Sequence, residues 1–427
     1  MRLTSLVKTG QYLCSVTYRK NRMREFTDER RQRLLEKTRG CMIGGAAGDA
    51  LGYPVEFMSY RDIIRRYGED GITRFELNGN GVAEISDDTQ MSLFTAASAL
   101  MGLTRGFMRG IGGRPASYVR SGHLAWLYTQ EHPSREEGKR FDTWLMDVPE
   151  LYSRRAPGYT CLSALRAMSG DGEPVNDSCG CGGVMRTAPL AAICARYETG
   201  FEENDAEAAD AEWETHKHQL GYIPAAILNH ILYDIFTDRE NRSLERIVTD
   251  AITHFSRLTH LDGERVRTGD GKGFRDNMER QLALIRVAKS LAHSGMDDVG
   301  CIEHLGGGWT GHEALAIAVF CALRYPDDLH RALVAAVNHS GDSDSTGSIT
   351  GNIVGAYSGI GSIMDMVPQI ELLDVIEELS EDMASGCVIS EYDPDPETPE
   401  KDAWFTKYCQ HRRVPGRRQD IARNIPD

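Results

Sequence analysis

The chain has no long apolar segment. Its longest uninterrupted apolar run extends from Ala314 to Leu323, and Arg324 closes it after ten residues. A helix that crosses a bilayer needs about 20 apolar residues, so the sequence excludes a transmembrane helix. The first residues also lack the apolar stretch of a secretory signal. We therefore expect no membrane partner.

Positive charge is scarce as well. The 427 residues include 48 Lys and Arg but 63 Asp and Glu, which gives a formal net charge of −15. Proteins that bind nucleic acid present a basic face to the phosphates, so this composition argues against nucleic acid as a partner. Apolar residues make up 41% of the chain, which is ordinary for a folded globular protein.

Closely spaced cysteines are nearly absent. Of the ten cysteines, only Cys179 and Cys181 are close in sequence, and the spacing C-x-C alone is not a zinc pattern. Reduced thiols are the ordinary state of cysteine in the cytosol. We therefore predict a cytoplasmic protein with reduced thiols.

Alternating patterns typical of β-strands are also almost absent, whereas helical spacing dominates from Thr27 onward. Apolar residues recur at i, i+3, i+4 and i+7 in residues 93–100 and again in 372–379. We predict an all-α fold with ten or more short helices. No repeat of 20–50 residues is visible, which argues against a solenoid. Further helices are predicted around residues 28–40, 159–169, 218–236, 243–256, 275–293, 311–324 and 327–338.

The pattern of charge divides the chain into three parts. We predict a basic N-terminal extension (1–26), a main domain (27–388) and an irregular, peripheral tail (389–427). The first 24 residues contain six Lys and Arg and no acid. This is typical of a mobile arm, although a transit peptide and a partner-binding arm remain alternatives. Two segments are interpreted as surface inserts, namely the acidic 198–214 and the polar, Gly-rich 262–276.

Two acidic clusters, more than 250 residues apart, stand directly before helical runs. They read Ser-Asp-Asp-Thr (86–89) and Asp-Ser-Asp-Ser-Thr (342–346). Helix capping by Ser86 or Asp342 is one explanation for each cluster. If the two clusters meet, however, their carboxylates repel unless cations lie between them. Carboxylate and hydroxyl oxygens suit Mg²⁺ or Mn²⁺, and two such ions would polarise a substrate oxygen or a water.

Two other interpretations of the second cluster need testing. The spacing from Asp342 to Gly347 resembles the start of an EF-hand loop, but the twelfth position, which requires Glu, is Ile353, so this interpretation fails. The same residues also resemble the nucleophile motif of haloacid-dehalogenase phosphatases. That motif should follow an apolar strand, whereas Leu329 to Val337 has a helical, Ala-rich pattern.

Three Gly-rich segments accompany the acidic clusters. Residues 44–52 lead to Glu56, residues 180–186 are predicted to open a helix, and residues 347–359 have small residues at close spacing. Close helix packing explains the first and third segments. The second could present backbone N–H groups to a phosphate, although no Walker lysine follows. His216 is either structural or a contact for a base or ribose.

Taken together, these motifs resemble the ADP-ribosylglycohydrolase family over about Gly40 to Gly361. The matching segments are GDALGYPVE (48–56), SDDTQM (86–91), RAPG (155–158), GCGGVMR (180–186), THKHQLGY (215–222), GWTGHEA (308–314) and HSGDSDSTGSITG (339–351).

The resemblance implies a compact orthogonal all-α domain with two Mg²⁺ or Mn²⁺ ions and implies a role for each matching residue. The implied metal ligands are Ser86, Asp87, Asp88, Asp342, Asp344 and Ser345. The implied catalytic residues are Glu56, Asp87 and Asp344. The implied substrate-binding residues are Gly158, Ser178, Gly180, Gly182 and Gly183, with His216 near the adenosine.

The serines at positions 86 and 345 are similar to those of the arginine-specific branch of the family. This implies hydrolysis of the bond between ribose C1″ and a guanidinium nitrogen of an ADP-ribosylated protein, through an oxocarbenium-like transition state. Glu56 or Asp87 would act as acid or base. Two alternatives are an immunity protein, whose N-terminal extension blocks an ADP-ribosyltransferase toxin, and a scaffold that binds ADP-ribose without hydrolysis.

Overall fold

The computed structural model describes residues 26–110, 114–261, 263, 266, 272–389 and 398–414. Within these residues the regular structure is helical, and only isolated β-bridges occur beside it. The predicted all-α fold is therefore confirmed. The α-helices are α1 (Asp28–Gly52), α2 (Tyr60–Tyr67), α3 (Asp87–Met108), α4 (Ala116–Glu131), α5 (Tyr159–Ser169), α6 (Ala188–Tyr197), α7 (Phe201–Trp213), α8 (Gln219–Thr237), α9 (Leu244–Phe255), α10 (Lys272–Ala292), α11 (Asp298–Leu305), α12 (Gly311–Arg324), α13 (Leu329–Val337), α14 (Ser343–Ser358), α15 (Leu373–Ser385) and α16 (Pro399–Tyr408).

Helices α1 and α14 pack with their backbones in contact. A methyl group added at Gly48 would lie 2.0 Å from the carbonyl oxygen of Gly347, and one at Gly351 would lie 1.9 Å from that of Gly44. The small-residue spacing of both segments is thereby explained as close packing. Since the helices run antiparallel, the end of α1 lies beside the start of α14. At that end, a methyl group at Gly52 would meet the backbone of Ser343.

The long apolar run of the sequence is a buried helix. Every residue from Ala314 to Leu323 in α12 is at most 7% exposed. A helix that is apolar on all sides is stable only inside a core. No helix among the described residues is long and apolar enough to cross a membrane.

The acidic segment 198–214 is not a surface insert, so that prediction was wrong. Most of it forms α7, in which residues 204–212 are buried. Burial is tolerated because the acids have cationic partners from elsewhere in the chain. Arg114 pairs with Glu207, and Arg186 pairs with Glu212.

The tail was predicted to be irregular and peripheral, which is wrong for residues 399–408. These form α16, where Trp404 and Tyr408 are 3% and 1% exposed and belong to the core. In the proposed insert 262–276, residues 272–276 begin α10 and most of the others lie outside the described residues. Residues 1–25 also lie outside them, so the division into three parts stays a prediction.

Candidate active site

The two acidic clusters meet where α1 ends and where α3 and α14 begin. Asp49, near the end of α1, connects α1 to α3. Its carboxylate accepts hydrogen bonds from the backbone N–H of Ser86, at 2.9 and 3.1 Å, and of Thr89, at 3.0 Å. Burial and the nearby Asp344 raise the pKa of Asp49 to about 7, although the hydrogen bonds from Thr89 and Ser86 oppose the shift. Asp49 therefore fixes the first cluster against the end of α1.

Helix capping accounts for only part of this arrangement. Ser86 is the N-cap of α3, and its Oγ accepts a hydrogen bond of 3.2 Å from the backbone N–H of Asp88. Asp342 is the N-cap of α14, but its side chain makes no capping hydrogen bond. The Asp342 carboxylate is therefore not used as a helix cap.

Glu56 completes the acidic cluster. It directly follows a short 3-10 turn, Tyr53–Val55, at the end of α1. One carboxylate oxygen each of Glu56, Asp342 and Asp344 lies within 4.8 Å of the others. Burial and the carboxylates of Asp344, Asp342 and Asp87 raise the pKa of Glu56 to about 10. The cluster therefore cannot carry its full negative charge near neutral pH without a compensating cation.

The carboxylates nearest to Glu56 are affected in the same way. Burial, and next the charge of Asp344, raises the pKa values of Asp87 and Asp88 well above the usual range. Burial and Asp342 do the same to the pKa of Asp344. Each carboxylate therefore lies in a setting that disfavours its charge.

The donor atoms of this cluster suit hard divalent cations. Glu56 Oε2 and Asp88 Oδ2 are buried and have no hydrogen-bond partner among the described residues. Buried charged oxygens without partners are costly unless a ligand satisfies them. Carboxylate and hydroxyl oxygens are the ligands that Mg²⁺ and Mn²⁺ prefer.

The two other interpretations of the second cluster do not agree with the fold. Residues 329–337 form α13 instead of the strand that the phosphatase motif requires. The twelfth position of the supposed EF-hand loop, Ile353, is a core residue inside α14. Both alternatives are therefore excluded.

Cys181 is part of the acidic cluster, which the sequence analysis did not anticipate. Its Sγ donates to Asp342 Oδ2 at 2.7 Å. Burial and the adjacent Asp342 raise the pKa of the Cys181 thiol. The thiol therefore stays protonated and joins the Gly-rich loop to α14. Only its position inside the motif GCGGVMR could have drawn attention to it.

The Gly-rich loop does not open an α-helix as predicted. Residues 181–183 form a single 3-10 turn, and α6 begins only at Ala188. Ser178 Oγ accepts a hydrogen bond of 3.3 Å from the backbone N–H of Gly180 and lies 3.0 Å from Thr160 Oγ1 on α5. The loop is therefore held beside the start of α5.

Gly158 joins the start of α5 to the acidic cluster. It is the N-cap of α5, and its backbone N–H donates to Asp87 Oδ2 at 3.2 Å. Among the described residues, no atom outside Gly158 and its chain neighbours lies within 4 Å of the position that a side chain would occupy at Gly158. The space beside the Cα of Gly158 is therefore open.

His216 lies behind the Gly-rich loop. A methyl group at Gly182 would lie 2.9 Å from Cys161 Sγ and 3.3 Å from His216 Cε1, so a larger residue there would displace these neighbours. Burial and the charge of Arg186 lower the pKa of His216 to about 3. Its imidazole is therefore neutral, and Nδ1 lies 2.9 Å from Thr215 Oγ1.

Arg186 supports His216 and was not identified from the sequence. It is fully buried, and its Nη2 lies 2.7 Å from Glu212 Oε2 and 2.6 Å from Thr215 Oγ1. Glu212 lies in the segment that was interpreted as a surface insert. No local sequence pattern predicts that Arg186 pairs with a residue 26 positions away, so only the fold shows the pair of Arg186 and Glu212.

Two exposed aromatic side chains directly follow site residues in the chain, and a third stacks on one of them. Phe57 directly follows Glu56 and is 75% exposed, while Trp309 is 45% exposed. Their rings stack with centroids 5.9 Å apart and an angle of 20° between planes. Tyr159, directly after Gly158, is 81% exposed. Exposed aromatic rings grouped in this way are typical of a binding surface.

The chain is similar to known proteins over most of its length. The family model for ADP-ribosylglycohydrolase matches residues 30–392. The chain is 25% identical over 356 residues to YegU of Escherichia coli, covering 81% of this chain and 93% of that one. It is 27% identical over 349 residues to ADP-ribosylhydrolase ARH3 of Bos taurus, covering 79% and 88%.

A solved structure shows the same fold. It is described as an ADP-ribosylglycohydrolase-related protein complex, and it superposes with a TM-score of 0.55 at 21% identity, covering 83% of this chain and 99% of that one. The family model covers most of the helical core, including both acidic clusters and the Gly-rich loop. The chain therefore belongs to the ADP-ribosylglycohydrolase family.

Proposed function

We propose that the protein is a metal-dependent hydrolase that removes ADP-ribose from arginine side chains of modified proteins. The observation that carries the proposal is the meeting of both acidic clusters with Glu56 in one buried site, beside the loop of Gly180 to Gly183. Family membership supports the coarser activity, which is hydrolysis of a glycosidic bond of ADP-ribose.

The loops beside the acidic cluster would bind the substrate. The N–H groups of the Gly-rich loop, together with Ser178, would contact the diphosphate. The open space beside Gly158 would receive a ribose. Neutral His216 would lie near the adenosine, where a ring nitrogen accepts or donates a single hydrogen bond.

The carboxylates would carry the chemistry. Ser86, Asp87, Asp88, Asp342, Asp344 and Ser345 would hold two cations, Mg²⁺ or Mn²⁺. When bound, such cations supply positive charge that polarises substrate oxygens. The bond from ribose C1″ to the guanidinium nitrogen breaks, and a water oxygen bonds to C1″. The electron pair of the broken bond stays on the nitrogen. Glu56 or Asp87 accepts one proton of that water and passes it to the departing nitrogen, so that arginine leaves intact.

The stacked pair of Phe57 and Trp309 favours arginine as the modified residue. A guanidinium group stacks on aromatic rings, and this attraction is worth about 0.5–1 kcal/mol at exposed sites. Phe57 is the neighbour of Glu56 in the chain, so a group held on this pair would lie at the entrance to the acidic cluster. A serine-linked substrate has no planar cation to stack there.

The direct test is release of free ADP-ribose from an arginine-linked and a serine-linked protein, each with Mg²⁺ and with EDTA. We expect release from the arginine-linked protein only, and only with Mg²⁺. Release from serine alone would contradict the arginine assignment. Release in EDTA would contradict the metal requirement, and no release from either protein would favour a scaffold that only binds ADP-ribose.

Trp309→Ala tests the aromatic pair itself. We expect KM for the arginine-linked protein to rise about two- to fivefold, because one stacking partner is lost. Met364→Ala is the matched control, since Met364 is also an exposed apolar residue, at 43%, but lies outside the predicted site. An unchanged KM in Trp309→Ala would remove the aromatic argument for arginine and leave the hydrolase proposal intact.

A further inference from the structure

A second cluster of metal-ligating side chains lies away from the acidic site. It consists of Asp205 on α7, His230 on α8 and His254 on α9. His230 is eleven residues into α8, about 16 Å along the helix from the end that adjoins His216. The cluster is therefore separate from the carboxylates that surround Glu56.

The three side chains converge on one point. His230 Nδ1 lies 3.0 Å from Asp205 Oδ2, and His254 Nε2 lies 3.2 Å from the same oxygen. One ligand atom from each residue lies within 4.8 Å of the others. Zinc bonds of about 2.0–2.2 Å in a tetrahedral site place ligand atoms roughly 3.3–3.5 Å apart. The observed distances therefore need only small shifts to accept an ion.

Hydrogen bonding alone does not account for His254. Its Nε2 is buried and makes no aligned hydrogen bond with any described residue, although Asp205 is close. By contrast, Asn204 Nδ2 donates to Asp205 Oδ1 at 3.1 Å and thereby orients the carboxylate. Outer partners of this kind are usual for metal-binding carboxylates.

Aromatic side chains hold both imidazoles in place. Phe201 stacks on His230 with centroids 4.4 Å apart, and the ring of Phe255 meets both histidines edge-on. The site would therefore exist before a metal arrives. His254 is 28% exposed, so an ion can enter from solvent on that side.

We propose that Asp205, His230 and His254 bind a zinc ion, with water as the fourth ligand. Two imidazole nitrogens and one carboxylate oxygen suit zinc, whereas Mg²⁺ prefers oxygen ligands alone. The ion would join α7, α8 and α9 and so stabilise the helices that continue to Glu212 and His216. This role is structural and does not depend on the proposed hydrolysis.

The test uses the full chain, freed of metal with EDTA, exchanged into buffer with excess Mg²⁺ and titrated with Zn²⁺ by calorimetry. We expect one zinc per chain and a higher thermal midpoint with zinc. His254→Gln and Asp205→Asn should weaken zinc binding by about 100-fold or more, because each removes a ligand and even the loss of an outer partner of a ligand typically costs about 10–100-fold. His293→Gln is the matched control, since His293 is 58% exposed and lies beside Glu245 outside the cluster.

A second set of measurements distinguishes the two metal sites. Part of it uses the unmodified chain, so it remains informative if a variant does not fold. Co²⁺ bound by two histidines and a carboxylate gives visible absorption bands of a tetrahedral ion, and these should persist in Asp344→Asn but vanish in His254→Gln. Anomalous scattering at the zinc edge should place zinc beside Asp205. Absence of zinc binding by the unmodified chain, or zinc that survives both ligand variants, would overturn the proposal.

Discussion

The acidic site and helix α7 both bury carboxylates, but they do so with opposite neighbours. In α7, Glu207 receives hydrogen bonds from Arg114 at 2.6 Å and from the backbone of Ala116 at 2.7 Å, and Glu212 pairs with Arg186. In the acidic site, the groups nearest to Glu56 are other carboxylates. Among the described residues, no salt bridge reaches that cluster of five acids, Glu56, Asp87, Asp88, Asp342 and Asp344.

The difference in neighbours distinguishes an acid with a structural role from an acid that is available to bind a ligand. Burial raises the pKa of Glu212 to about 7, and Arg186 opposes the shift. Burial also raises the pKa of Glu56, but its neighbours increase the shift, to about 10. A buried charge that the chain compensates contributes to the fold, whereas one that the chain leaves uncompensated is available to a cation.

Glu212→Gln tests the acid with a structural role and should have the largest effect, which is on the free energy of unfolding. The buried guanidinium of Arg186 would lose its counter-charge, which typically costs about 3–5 kcal/mol. We expect the free energy of unfolding in urea to fall by that amount. Glu202→Gln is the control, because Glu202 is exposed on the same helix and should cost under about 1 kcal/mol. Equal effects of both changes would show that the pair is not structural.

Asp344→Asn should lower turnover but should not lower thermal stability. Turnover should fall about 10²–10³-fold, equivalent to about 2.7–4 kcal/mol, because charge stabilisation of the transition state is lost. The thermal midpoint in EDTA should not fall, since one of several mutually repelling carboxylates becomes neutral. Asp365→Asn is the control, because Asp365 is exposed and pairs with Arg74. A midpoint that falls in Asp344→Asn would contradict the comparison.

The sequence predicted the acidic site more completely than it predicted α7, for a physical reason. Residues 86–89 and 342–346 carry local signals, namely acids and hydroxyls directly before helical runs. The structure places Asp342 and Asp344 beside Glu56, with Asp87 and Asp88 close enough to Asp344 to affect each other's charge. The acids of α7 carry no such signal. Their burial depends on pairing with Arg114 and Arg186, which the fold brings from distant positions in the chain. Composition alone therefore suggested a solvated surface.

The contrast between local signals and contacts made by the fold also explains which other features the sequence predicted and which it missed. The predicted helices of the core were confirmed because apolar spacing is a local property. Helix α16 was missed because its ten residues follow a Pro- and Asp-rich stretch and because their attachment to the core, through Trp404 and Tyr408 and the ion pair of Lys407 with Asp382, follows no regular apolar spacing. Cys181 was missed because a thiol beside Asp342 depends on contact between residues 161 positions apart.

Gly351→Ala should have the smallest effect and tests how the fold positions the acidic site. The added methyl group would meet the carbonyl oxygen of Gly44 at 1.9 Å, so α1 and α14 must separate. Such overpacking typically costs about 1–3 kcal/mol. Because Asp344 begins α14 and Glu56 follows α1, the separation should also lower kcat/KM, by up to about 100-fold for a displacement near 1 Å.

The control for this change is Gly361→Ala, where none of the described residues beyond the chain neighbours has an atom within 4 Å of the added group. Thermal unfolding and kcat/KM should both be unaffected there. If Gly351→Ala lowers the midpoint but leaves kcat/KM intact, close packing of α1 and α14 stabilises the fold without setting the distance between Glu56 and Asp344. A parallel loss of both would mean that the glycine contact itself holds these two carboxylates at the separation that catalysis needs.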